Sequence, residues 1–346
     1  MIKLIFIISS LQNHGGTERV ATLLANNLSG YYDVTILSRN INGKGNSYIL
    51  NSHVKDIKFN CNNIAFSFKV KDYINKESPD IVIIHTMSKL TPTLLFSGLK
   101  ANKIWSIEHT SFLFSTFLFR SLRRFLYKKL SKVVTLTERD KENYKDFVKE
   151  VEVIPNASPF SITTTPYQAH STKVVTIGNL EHHKGYDLLL NAWKPISLSY
   201  PNWTLEIYGL GSEETNLKEF CKDNNIETVF FKGITNNPLK VYDSAAMYVM
   251  SSRYEGLPLV LIEAQSRGLP IVSFDCPYGP AEVVNNKVDG LLIEPNNISA
   301  LTDSILTLIT NRFLREQYSF NSTENARRFT EKNIISKWVA LIESNQ

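Results

Sequence analysis

The sequence contains few cysteines and no long hydrophobic run. Its three cysteines, Cys61, Cys221 and Cys276, stand far apart and show neither disulfide nor metal-ligand spacing, which favours a reducing cytoplasm. No apolar run approaches the ~20 residues needed to span a bilayer. The apolar first residues, MIKLIFIISS, are few and lack the small-residue cleavage site of a signal peptide, so they predict a buried strand.

Two motifs that often mark nucleotide or metal sites are also missing. The chain has no Asp-x-Asp pair, so we predict no metal site, and it lacks the G-x-G-x-x-G spacing of a dinucleotide fingerprint. It has no low-complexity tract either. With 43% hydrophobic and 21% charged residues, the composition is that of a soluble globular protein.

Charge is distributed unevenly along the chain. Residues 1–165 carry 22 Lys and Arg against 13 Asp and Glu, whereas the remainder carries 16 against 20. The basic half favours an anionic surface or partner. The alternative is that two domains simply differ in surface charge.

The order of the segments predicts an α/β protein. Short β-branched runs such as KLIFIISS, DIVIIHT and KIWSIEH alternate with amphipathic stretches, which favours parallel sheets flanked by helices. The pattern weakens at 153–172, which is rich in Pro, Ser and Thr, and then restarts. We therefore predict two facing Rossmann-like domains over 1–165 and 172–330, with a C-terminal helix over 331–346 that packs back on the first.

The stretch RYEGLPLVLIEAQSRGLP, residues 253–270, places two carboxylates around a helix start. Glu255 follows a predicted strand and Glu263 lies about one turn into the helix, among apolar neighbours that argue against a solvated face. The backbone N–H groups of Leu259 and Val260 lie at the positive end of the helix dipole, which suits a diphosphate. Carboxylates accept hydrogen bonds from vicinal hydroxyls, such as those of a ribose or a hexose.

The same stretch, continued as SRYEGLPLVLIEAQSRGLPIVSFDCPYGPAEVV, resembles the signature of retaining group 1 (family 4) glycosyltransferases. The resemblance covers nearly the whole chain and implies the two-domain GT-B fold. It further implies that Glu255 contacts hydroxyls of a donor sugar, that Glu263 holds the nucleotide ribose, and that the diphosphate rests on the helix N-terminus between them.

Two motifs of the first half match the same family. Gly15 and Gly16 follow the first strand, where their alternative role is an ordinary tight turn. Their position resembles the family's GG(T/A)E loop, which contacts donor phosphate or acceptor. His109 follows the predicted strand KIWSIEH; a lone histidine is more often structural, but the resemblance implies that it hydrogen-bonds and orients the donor sugar.

The second half adds a loop that resembles the family's G-R-L-x-x-x-K-G motif. In VTIGNLEHHKGYDLLLNAW, Lys184 matches the lysine that neutralises the leaving diphosphate. Asn179 stands where the family has arginine and brings no charge, so either Lys184 suffices, or His183 or Arg253 supplies a second cation, or turnover is modest. The strand exits at Gly209 and Gly233 are the places where the resemblance implies nucleobase binding.

A basic stretch at 112–132, FLFSTFLFRSLRRFLYKKLSK, predicts an amphipathic helix. It holds six basic residues and no acidic one. We predict that apolar residues fall on one side of this helix and basic residues on the other, a pattern typical of helices at a membrane interface. Packing of the apolar side on the protein's own sheet is the alternative. The apolar side comprises Leu118, Phe119, Leu122, Phe125, Leu126 and Leu130. The basic side comprises Arg120, Arg123, Arg124, Lys128 and Lys132.

Together these features predict a retaining hexosyl- or N-acetylhexosaminyltransferase that needs no cofactor beyond its nucleotide-sugar co-substrate, expected to be a UDP-sugar. The acceptor would be a glycan, expected to be lipid-linked, reached at the inner face of the cytoplasmic membrane through 112–132. Nucleic acid is not an expected partner, because the phenylalanines of that stretch form an apolar cluster. An inactive sugar-nucleotide-binding partner and a GT-B-fold epimerase are the alternatives.

Overall fold

The computed structural model describes residues 1–13, 15–40, 43, 45–87 and 89–345. The chain divides into two compact units, one of Met1–Asn156 together with the C-terminal residues from Ile334, and one of Ala157–Asn333. The division falls within 153–172, the segment predicted as the connection. Each unit contains one parallel sheet with helices packed on it.

The sheet of the first unit has seven parallel strands, which are β1 Lys3–Ile8, β2 Asp33–Arg39, β3 Lys55–Phe59, β4 Ile81–Thr86, β5 Ile104–Glu108, β6 Lys132–Thr135 and β7 Val151–Val153. Their spatial order is β3-β2-β1-β4-β5-β6-β7, so the direction of winding reverses between β1 and β4. The helices are α1 Gly16–Leu28, α2 Asn63–Glu77, α3 Leu90–Phe96, α4 Phe117–Leu126 and α5 Glu138–Lys141.

The sheet of the second unit has six parallel strands, which are β8 Lys173–Ile177, β9 Thr204–Tyr208, β10 Val229–Gly233, β11 Met247–Met250, β12 Ile271–Phe274 and β13 Gly290–Ile293. Their order is β10-β9-β8-β11-β12-β13, with the reversal between β8 and β11. The helices are α6 Tyr186–Ser199, α7 Glu214–Asp223, α8 Pro238–Asp243, α9 Leu259–Ser266, α10 Pro280–Val283, α11 Ile298–Thr310 and α12 Arg312–Ala326. The C-terminal helix α13 Glu331–Glu343 starts at the end of this unit, and its residues from Ile334 onward belong to the first unit.

The predicted α/β organisation is confirmed, and three strands escaped the prediction. These are β3, β7 and β13, and each lies at the edge of its sheet. Edge strands are short and bury little side-chain surface, so their apolar signal is weak. Gly15 occupies the N-cap position of α1, and Thr17 lies in the first turn.

The basic stretch 112–132 is not one helix. It comprises a 3₁₀ turn at Phe112–Phe114, then α4, a second 3₁₀ turn at Tyr127–Lys129, and the start of β6 at Lys132. The predicted basic side was wrong at two positions, because Arg123 in α4 and Lys132 in β6 are buried. On the predicted apolar side of α4, Leu118 is 80% exposed. No helix in the described ranges combines the length and apolarity of a membrane span.

Buried Arg123 explains the orientation of α4. Its guanidinium donates to Glu108 Oε2 at 2.6 Å and to the Tyr144 hydroxyl at 2.6 Å. Glu108 also accepts hydrogen bonds from Tyr127 and from Ser106. Although burial favours the neutral form, Glu108 raises the pKa of Arg123. The helix therefore turns one charged residue inward, and this leaves much of its apolar surface outside.

We predict that Arg123→Met destabilises the protein by about 3–5 kcal/mol, because it leaves the Glu108 carboxylate buried without its cation. Arg124→Met on the exposed side of α4 is the matched control and should change stability by less than about 0.5 kcal/mol. Urea unfolding followed by circular dichroism measures both. Equal effects of the two substitutions would contradict a structural role for Arg123.

Candidate active site

The site lies where the winding of the second sheet reverses. Open parallel sheets bind ligands beyond the carboxyl ends of their strands at such a reversal. The strands on either side of this reversal are β8 and β11, which pair in parallel with Val174 opposite Met247. The loop after β8 carries Lys184 and the loop after β11 carries Glu255, so the topology brings the two predicted motifs to one edge.

Backbone contacts join these two loops closely. The Arg253 N–H donates to the His183 carbonyl at 2.8 Å, and the Ser251 hydroxyl donates to the Lys184 carbonyl at 3.1 Å. Gly185 has φ +65°, and a Cβ there would lie 2.1 Å from the Ser251 carbonyl oxygen. Only glycine fits this approach, which explains the Lys-Gly pair in the sequence.

Lys184 and Glu255 form an ion pair at this edge. Lys184 Nζ lies 2.7 Å from Glu255 Oε1, which also accepts a hydrogen bond from the Ser252 hydroxyl at 2.7 Å. The two side chains are 22% and 12% exposed, so both remain in reach of a ligand. A small cavity beside the pair is further lined by Tyr186, Tyr248 and Val260.

Helix α9 begins next to Glu255 and presents its N-terminus there. Pro258 occupies the cap position, and no side chain among the described residues caps the helix. The first N–H groups, those of Leu259 and Val260, are therefore available as donors at the positive end of the dipole. The turn at Gly279 supports this end from behind. It has φ +116°, and a Cβ there would lie 2.1 Å from the Gly256 carbonyl oxygen.

Glu263 does not face bulk solvent. It is 6% exposed, and its Oε2 accepts a hydrogen bond from the Tyr242 hydroxyl at 2.7 Å. Tyr242 is fully buried and packs edge-on against Phe160. A buried tyrosine hydroxyl thus explains how a carboxylate is accommodated in the apolar run. Its contact with a nucleotide ribose stays a prediction.

The glycines predicted at the base-binding end lie together along the sheet. The Gly209 N–H donates to the Gly233 carbonyl at 2.9 Å. Gly209 has φ +148°, and a Cβ there would lie 1.9 Å from the Gly178 carbonyl oxygen. Close packing of the two loops therefore requires glycine at 209. Gly233 has φ +66°, and a Cβ there would have no atom of the described residues within 4 Å.

The two candidates for a second cation are constrained. Arg253 forms a bidentate pair with Asp187 at 2.8 and 2.6 Å. The His183 ring stacks on Tyr254 with centroids 5.3 Å apart, and burial together with neighbouring Lys184 lowers its pKa. A neutral His183 supplies no charge at neutral pH. Asn179 is exposed.

The predicted residues of the first half lie in the first unit. Gly15 caps α1 and Gly16 is its first residue. Among the described residues, the atoms nearest to a Cβ on Gly15 belong to the carboxylate end of the flexible Glu18 side chain, at 2.4 Å. Space alone therefore does not require glycine at 15. His14 of the same predicted loop lies outside the described residues.

His109 lies directly after β5 and is half-buried. Its Nε2 is 3.1 Å from Nδ1 of His85, the penultimate residue of β4. Burial lowers the pKa of His109 to about 4, so the ring is neutral at neutral pH.

Sequence reasoning missed several residues of these two sites. His85 lies near the carboxyl end of an apolar strand, as His109 does, and that similar position was the available signal. Tyr242 carried no such signal, because its contact with Glu263 joins segments 21 residues apart, whereas Ser252 contacts Glu255 three residues away within one loop. The structure thus adds one partner to each predicted carboxylate and to the predicted histidine.

Comparison with known protein families covers both units. The family described as glycosyl transferases group 1 matches residues 166–327, and glycosyltransferase family 4 matches residues 14–158. A protein of Haemophilus influenzae known as an uncharacterized glycosyltransferase is 34% identical over 99% of this chain and 100% of its own. The amylovoran biosynthesis glycosyltransferase AmsD of Erwinia amylovora is 32% identical over 98% of this chain and 99% of its own.

The fold also has close counterparts among solved structures. A crystal structure of a TarM mutant from S. aureus, in complex with Fondaparinux, alpha-GlcNAc-glycerol and UDP, superposes with a TM-score of 0.79 over 99% of both chains. At 18% identity this likeness concerns the fold alone. It confirms the predicted GT-B fold of two parallel sheets flanked by helices.

Proposed function

Because the chain belongs to the group 1 glycosyltransferases, we propose that it transfers a sugar from a UDP-sugar to a hydroxyl of a glycan acceptor with retention of configuration. The names of its relatives support a place in polysaccharide or glycoconjugate synthesis. UDP bound to the structurally similar TarM supports the choice of nucleotide. The transferred unit is a hexose or an N-acetylhexosamine.

The Lys184–Glu255 pair beside the start of α9 carries this proposal. A diphosphate placed against the N–H groups of Leu259 and Val260 would lie on the positive end of the dipole and within reach of the lysine. Lys184 would then stabilise the charge that grows on the leaving diphosphate. Glu255 would accept hydrogen bonds from hydroxyls of the donor sugar.

Bond changes in the proposed reaction take place on one face of the sugar. The bond between the anomeric carbon and the phosphate oxygen breaks, the acceptor oxygen bonds to that carbon, and its proton passes to the leaving phosphate. No protein nucleophile is then required. With Asn179 uncharged and Arg253 held by Asp187, Lys184 and the dipole of α9 supply the positive charge at the diphosphate.

We predict that Glu255→Gln and Lys184→Met each lower kcat by about a hundredfold or more, because each removes an electrostatic contact that strengthens as the donor bond breaks. Release of UDP from a panel of UDP-sugars, with and without acceptor glycans, measures this rate. Glu294→Gln, at an exposed carboxylate, is the control and should leave the rate unchanged.

Nucleotide binding separates this proposal from its alternatives. UDP-sugar binding by the wild-type protein without transfer or hydrolysis would favour an inactive binding partner. Conversion of the sugar without release of UDP would favour an epimerase. Full activity in Glu255→Gln would contradict the assigned role of the ion pair.

We also propose that α4 seats the protein on an anionic lipid bilayer, where a lipid-linked acceptor glycan is presented. Three large apolar side chains of the helix, Phe117, Leu118 and Phe125, are 69%, 80% and 68% exposed. The exposed basic residues Arg124 and Lys128 lie on the same segment. Apolar groups inserted among headgroups and basic groups beside them form an interfacial surface, each charge contributing on the order of 1 kcal/mol.

We predict that the wild-type protein sediments with vesicles of equal parts phosphatidylcholine and phosphatidylglycerol and that binding decreases in high salt. Replacing Phe117, Leu118 and Phe125 by serine should abolish sedimentation, because the inserted apolar surface is lost. Replacing Phe313 and Phe320 by serine is the matched control, since these are equally exposed at 76% and 67% on α12. Equal losses in both variants, or equal binding to phosphatidylcholine alone, would contradict the proposal.

A further inference from the structure

His85 and His109 form a coplanar pair at the carboxyl ends of β4 and β5. The nitrogens His85 Nδ1 and His109 Nε2 are 3.1 Å apart, the ring centroids are 5.3 Å apart, and the ring planes differ by 15°. Rings that share a plane and meet through two nitrogens at hydrogen-bonding distance are joined edge to edge. One nitrogen therefore donates a proton and the other accepts it.

The position of His85 is fixed on every side. It is 1% exposed, and its ring packs against the Phe6 ring in a T-shaped arrangement with centroids 5.2 Å apart. Its strand pairs in register with Ile8 on one side and Ile107 on the other. The backbone of His109 is held as well, because its N–H donates to the Thr86 carbonyl at 3.0 Å.

The remaining nitrogen of His85 decides which ring is the donor. Its Nε2 is buried and has no hydrogen-bond partner among the described residues. If His109 donated from Nε2, His85 would carry its own proton on that buried nitrogen, and an orphaned N–H is rare and costly. If His85 donates from Nδ1, the unpartnered atom is an acceptor, which proteins tolerate more readily.

Neither ring carries a second proton at neutral pH, so the choice between the two tautomers stands. Burial lowers the pKa of His109 to about 4 and, with the charge of His109 as a second cause, lowers the pKa of His85 well below its usual value. Both rings are therefore neutral, and each carries one proton.

We propose that His85 is a positioning residue that holds His109 in the Nδ1–H tautomer, so that His109 presents a hydrogen-bond donor to an oxygen atom of its ligand. A sugar hydroxyl or a phosphate oxygen can accept a hydrogen bond from this donor, whereas an N–H or ammonium group of a ligand cannot. The identity of the ligand rests on the proposed function, whereas the tautomer of His109 does not.

Nitrogen NMR of the imidazole side chains tests the tautomer without any substrate. The protein has seven histidines, and the His109 signals are identified by their loss in His109→Gln. Long-range proton–nitrogen correlation spectra of protein labelled with ¹⁵N-histidine distinguish the protonated from the unprotonated ring nitrogen. Wild-type His109 should show a protonated Nδ1 and an unprotonated Nε2 at pH 7; the reverse assignment would overturn the proposal.

Two substitutions of His85 separate positioning from packing. Asparagine places an amide N–H near the position of Nδ1 and should preserve the tautomer of His109, whereas leucine removes the donor and should shift His109 toward Nε2–H. In the transfer assay, His85→Leu should lower kcat on the order of tenfold with a smaller change in KM for the donor, and His85→Asn should restore most of the rate. His53→Leu, at an exposed histidine, is the control.

The two readouts fail independently. An unchanged tautomer in His85→Leu would overturn the proposal, as would equal losses of rate in His85→Leu and His85→Asn with both proteins folded. A wild-type protein that shows the predicted tautomer but transfers no sugar would instead contradict the proposed function.

Discussion

The ion pair between Lys184 and Glu255 is the interaction on which the account of this protein depends. Its 2.7 Å separation follows from the order of the strands, which places the exits of β8 and β11 side by side. Gly185 then allows the two loops to approach closely at the Ser251 carbonyl, because a side chain at position 185 would collide with that carbonyl oxygen. Chain topology and one glycine thus place a cation and a carboxylate beside the start of α9.

A second ion pair in the same chain shows how a buried structural pair differs from a pair that a ligand can reach. Arg123 and Glu108 have fully buried side chains, and the hydroxyls of Tyr144 and Tyr127 form further hydrogen bonds with them. Such a pair cannot meet a ligand, and its desolvation makes loss of one partner costly. Lys184 and Glu255 keep part of their surface exposed, so their charges can be redirected toward a diphosphate and a sugar hydroxyl.

The sequence allowed the fold to be predicted, together with the positions of Glu255 after β11 and Glu263 in α9, because apolar runs and glycine-bounded turns are local signals. The contacts of these carboxylates with a donor stay predictions. It did not allow the faces of α4 to be predicted. Periodicity placed Arg123 outside, but Glu108 and the tyrosines that receive it come from other segments. The partners of Glu263 and His109, namely Tyr242 and His85, were hidden for the same reason, since each contact arises when distant segments pack together.

The most direct test of the central claim is a crystal structure of the protein with a bound UDP-sugar. The account predicts the diphosphate on the first N–H groups of α9, within hydrogen-bonding distance of Lys184 Nζ, with Glu255 contacting hydroxyls of the sugar. A nucleotide sugar bound away from the ends of β8 and β11, with the Lys184–Glu255 pair facing only solvent, would contradict it.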